Sequence, residues 1–62
     1  MVEIQESLRM AMARKNINQA ELARRAGVSR STISLIVRGR RVPSLGLAKK
    51  IARELGITVE TL

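Results

Sequence analysis

The stretch SRSTISLIVRGRRVPS, Ser29 to Ser44, holds four arginines and five hydroxyl side chains without one acid. Guanidinium forks and hydroxyls form hydrogen bonds with phosphate oxygens and with the edges of planar bases, so the chemistry on offer is recognition of a polar, negatively charged partner. The surrounding charge agrees. Nine basic residues and no acid lie between Glu21 and Glu54, and the whole chain carries a formal +7. So one-sided a run points to a polyanion, the alternative being a basic surface that is merely solvated. With no Cys, His or Asp, the usual thiolate and imidazole metal sites, general bases and catalytic triads lose their commonest residues. No enzymatic activity, cofactor or metal is expected. Apolar runs are too short to cross a bilayer, and Glu3 and Glu6 stand where a secretory signal would be basic and then apolar. The expectation is a cytoplasmic protein with no membrane partner.

Sixty-two residues allow one domain, 1–62, near the size at which a single core is just sufficient. Ile4, Leu8, Ala11 and Met12 recur at helical spacing and predict a first helix from about Glu3 to Lys15, with Asn16 tolerating the left-handed stop. Asn18 as N-cap and Glu21 three residues later form a capping-box pattern for a second helix that buries Leu22, Ala23 and Ala26 and ends at Gly27. Ser29 caps a third, Val28 and Ile33 sit at staple spacing, and Ile36 completes its inner face. Gly39 and Pro43 then break the pattern into a basic loop. Ser44 caps a fourth helix whose apolar face reads Leu45, Ala48, Ile51, Ala52 and Leu55 before Gly56, with Gly46 costing its first turn about 1 kcal/mol. Ile57, Thr58 and Leu62 announce a fifth. No repeat or period-two alternation is present, so the fold class is all-α.

Two short helices joined by a tight glycine-containing turn, the second presenting small polar and basic side chains, make a helix-turn-helix. Ala23 allows the close crossing and Gly27 the turn. The joint spacing of Gln19, Ala23, Gly27, Val28, Ile33 and Ile36 is far more specific than any of these residues alone. On these residues, and on NQAELARRAGVSRSTIS and PSLGLAKKIARELGIT, the sequence resembles the Cro/cI-type helix-turn-helix domains, the class of the lambdoid phage repressors, over nearly its whole length.

The resemblance implies a compact five-helix bundle with the helix at about 30–37 in the DNA major groove. It puts Arg30, Ser31, Ser34 and Leu35 against base edges: Arg30 on guanine or, alternatively, a phosphate, the serines on an ambiguous code. It puts Asn18, Gln19, Arg38, Arg40 and Arg41 against the DNA backbone, Asn18 being equally well explained as a cap and able to do both, and Gln19 being able to brace Arg30. Arg24 and Arg25 read as solvated charge, while Lys49, Lys50 and Arg53 add long-range attraction. Three positions depart from the family pattern. Where many relatives carry an Arg–Glu ion pair, this chain has Met12 and Val37, apolar together, and where many have a polar reader it has Leu35, which suits a thymine methyl or a protein surface. The implied function is a sequence-specific regulator of transcription, a repressor, bound as a homodimer to a two-fold symmetric operator. The competing reading is a protein-binding adaptor or antitoxin-type module on the same fold, against which the basic rim argues. A nonspecific chromosomal or RNA binder lacks the aromatic stacking platforms it would need.

Overall fold

In the computed structural model, which describes residues 4–58 and the side chains of residues 8–58, four helices follow one another: α1 (Ile4–Lys15), α2 (Gln19–Ala26), α3 (Arg30–Val37) and α4 (Leu45–Leu55). The described residues contain no strand. The fifth helix expected from Thr58 onward, and the Ile4 and Leu62 side chains assigned to apolar faces, lie outside what is described.

Each connection is fixed by local chemistry. Asn16 takes φ 55° and the Ile17 amide donates back to the Met12 carbonyl at 2.9 Å, closing α1. Gly27, at φ 74°, ends α2 in the left-handed conformation that side-chain-bearing residues resist, and the Val28 amide donates to Ala23 at 3.0 Å. The same device ends α4 at Gly56, with Ile57 donating to Ala52 at 2.9 Å. At the starts, Asn18, Ser29 and Ser44 accept hydrogen bonds from the amides of Glu21, Thr32 and Leu47. One half of the expected capping box is absent. The Glu21 carboxylate, instead of reaching back to the Asn18 amide, is held by Arg24 and Arg25, whose guanidinium donors are charged and therefore stronger partners than a backbone N–H.

The core is wholly aliphatic. Leu8, Ala11, Met12, Leu22, Ala23, Ala26, Ile33, Ile36, Val37, Ile51 and Leu55 form one cluster, with Val28, Leu47 and Ile57 packed against it. Ala23 is buried where α2 and α3 meet in the most extensive of the helix pairings, so its small side chain permits the close crossing. Ile17 also belongs to the cluster. It precedes the cap Asn18 and stands at staple spacing from Leu22, a signal that reading the helices alone passes over. Leu45 corrects the sequence expectation. It is 64% exposed, because the inward face of α4 begins at Leu47 and Ala48, and the first helical residue, one position past the cap, points to solvent.

Candidate nucleic-acid interface

With Ile33, Ile36 and Val37 buried against the core, the helical period turns Ser31, Leu35 and Arg38 to the opposite side with Ser34 at its flank, and the long side chain of Arg30, at the first position of the helix, reaches the same surface. These five line one shallow, open depression of about 400 Å³. Arg30, Ser34 and Arg38 also line a second, of about 500 Å³, whose other wall is Asn18, Gln19 and Ala20 at the start of α2. The start of α2 and the outer face of α3 are thus one continuous surface. Ala20 is the contributor that sequence reasoning missed, and its signal is the lack of a side chain: a small residue beside Gln19 leaves room between α2 and the α3 row.

The hydroxyls divide into two sets. Ser29 and Thr32 are tied together, Oγ to Oγ1 at 3.0 Å, with Ser29 Oγ also accepting from the Thr32 amide at 3.1 Å. The Ser31 and Ser34 hydroxyls make no side-chain hydrogen bond among the described residues and remain available to a ligand. Asn18 Oδ1 is engaged by the Glu21 amide at 2.8 Å, so its cap role is realised while its side-chain nitrogen has no partner among the described residues. Gln19 shares a depression with Arg30 without hydrogen bonding to it. Arg40 and Arg41 line neither depression, yet they are exposed immediately beyond α3, and the Arg40 amide donates to the Leu35 carbonyl at 2.8 Å. That bond fixes where the basic loop leaves the helix.

Electrostatics separates the arginines in the same way. Glu21 binds Arg24 and also Arg25 Nε at 2.8 Å, and Arg25 reaches Glu54 at 3.5 Å across to α4. Arg24 and Arg25 are therefore exposed, as expected, but internally paired. Every ion pair among the described residues involves these two arginines, so among those residues the cations around α3 have no ion-pair partner. The hydrogen bonds from Arg24 and then Arg25 lower the Glu21 pKa from its ordinary 4.5 to about 2. A carboxylate with a depressed folded-state pKa contributes stability that is complete above its unfolded value and lost as pH falls through the folded one. Glu21→Gln should therefore flatten the acid limb of stability between about pH 4.5 and 2, as read by thermal melts across that range. An unchanged acid limb would show that these pairs contribute nothing to folding.

A helix-turn-helix family model matches residues 8–62. An uncharacterized HTH-type transcriptional regulator of Methanocaldococcus jannaschii is 41% identical over 59 residues, which is 95% of this chain and 89% of that protein. Another, from Archaeoglobus fulgidus, is 46% identical over 50 residues, covering 81% and 70% respectively. Among solved structures, the hypothetical transcription factor NHTF from Neisseria superposes with a TM-score of 0.86 at 29% identity, over 94% of this chain and 65% of that one. The matched span takes in both helices of the motif, its turn and the loop arginines, and on that ground the chain belongs to the Cro/cI-type helix-turn-helix family, a family of DNA-binding transcriptional regulators.

Proposed function

We propose that this chain is a sequence-specific regulator of transcription that lays α3 in the major groove of duplex DNA and binds as a homodimer on a two-fold related operator. The observation that carries the reading is the outer face of α3: an arginine fork, an exposed leucine, and two hydroxyls and several cations that have no partner among the described residues. Arg30 reads guanine, whose O6 and N7 match its paired donors, and Leu35 packs against a thymine methyl nearby. Asn18, Gln19, Arg38, Arg40 and Arg41 hold phosphates and set the register without specifying sequence. Occupying an operator is enough to exclude other proteins from it, so repression is the simplest regulatory outcome. The working compartment is then the cytoplasm, on nucleoid DNA.

Arg30→Ala should weaken binding to the preferred duplex by about 1 to 3 kcal/mol per half-site and relax the preference at one symmetric pair of positions, with random DNA affected far less. Titration of the variant against single-base changes in that duplex reads both effects. A loss of the same factor for every sequence would make Arg30 a phosphate clamp and transfer base reading to Ser31 and Ser34.

A further inference from the structure

Leu35 is the one large apolar side chain exposed on α3, and the polar groups that share its depression are unequal in what they can distinguish. On a helix the neighbours of a residue stand three and four positions away, which for Leu35 means Ser31 and Thr32 on one side and Arg38 and Gly39 on the other. Thr32 is tied to Ser29 and does not line the depression, which leaves Ser31 and Arg38. Ser34 stands in the adjoining row, and all three line the same depression as Leu35 and Arg30. A hydroxyl rotates to donate or accept as its partner demands, and neither serine hydroxyl is committed to another protein group among the described residues. Thymine presents an acceptor at position 4 and cytosine a donor, and a serine satisfies either. Arg38 is donor-only and would tell them apart, but its fork is engaged on the DNA backbone. What remains to identify a pyrimidine beside Leu35 is the methyl group on C5.

We infer that the pyrimidine next to the guanine of Arg30 is recognised through its C5 methyl group rather than its position-4 substituent, so that the interface accepts 5-methylcytosine as it accepts thymine and disfavours unmethylated cytosine and uracil. Cytosine methylation at that one position would then raise occupancy of a site that binds poorly when unmodified. The inference rests on α3 being the major-groove helix.

The test uses the intact chain and four duplexes that differ only at that position in each half-site, in two pairs with the opposite base held constant: thymine against uracil across from adenine, and 5-methylcytosine against cytosine across from guanine. In both pairs the methyl should raise affinity by about fourfold per half-site, the change expected for removing one methyl-sized group from water. Leu35→Ala should bring both ratios to one while the guanine preference set by Arg30 persists. A thymine-to-uracil ratio near four with a 5-methylcytosine-to-cytosine ratio of one would overturn the inference, because position 4 would then be read. Two ratios of one in the unaltered protein, with the guanine preference intact, would overturn it as well and leave the major-groove reading standing. If instead the guanine preference itself is missing, and Arg30→Ala changes nothing, the reading of α3 fails and this inference with it.

Discussion

Raising monovalent salt from about 50 to 200 mM should weaken binding of the dimer to duplex DNA by roughly 20,000- to 250,000-fold, the loss that follows from about four to five phosphates neutralised per monomer at 0.9 counterion released per contact. The corresponding slope of log affinity against log salt is about −7 to −9. Its main source is Arg38, Arg40 and Arg41 at and beyond the end of α3, which have no ion-pair partner among the described residues, with the similarly unpaired Lys49, Lys50 and Arg53 adding longer-range attraction. Arg24 and Arg25 should contribute little, being tied to Glu21 and Glu54. Replacing Arg40 and Arg41 together by Ala removes about four contacts from a dimer and should flatten the slope to about −4 to −5. Because the two belong to the loop and line neither depression on α3, the preferred sequence should be unchanged. A changed consensus in the double variant would contradict their assignment as positioning residues.

The second large effect concerns stability. Met12 and Val37 are both buried in the common core, at 8% and 3% exposure, and α1 and α3 are in contact. Met12→Arg places a guanidinium there with no partner and should cost about 3 kcal/mol, the low end for a buried charge left unpaired. The low end applies because Met12 also edges a shallow depression with Asn16 and Asn18, through which the long side chain can bring part of its charge toward water. Adding Val37→Glu should recover much of the loss by supplying the missing carboxylate. Denaturant unfolding of the two single variants and the double variant forms a cycle. Additive losses in that cycle would show that the positions do not interact.

The four helices and most of their ends were legible because each rests on a local rule. Asn18, Ser29 and Ser44 are caps in the structure, and Asn16, Gly27 and Gly56 take the left-handed conformations their residue types favour. The gathering of Arg30, Ser31, Ser34 and Leu35 on one surface was legible too, since burying Ile33 and Ile36 fixes the rotation of α3, whereas Arg38, grouped with the loop, turns out to share that surface. What escaped were choices between competing partners and neighbours. Glu21 has a spacing that suits either the Asn18 amide or the arginines that follow it, and only the folded chain reveals that the charged donors win. Leu45 fits the period of α4, but periodicity says nothing about where the neighbouring helices stop covering it. Ala20 matters for the space it leaves, which no pattern of polar or apolar residues records.

If the outer face of α3 reads the sequence of duplex DNA, selection of bound molecules from a pool of random duplexes will register it. The expected outcome is an enriched consensus of two inverted half-sites, each containing a guanine with a thymine close by, and loss of that guanine when the selection is repeated with Arg30→Ala. A pool that stays unenriched at a salt concentration where duplex is retained, or a consensus that the Arg30→Ala variant reproduces unchanged, would contradict it.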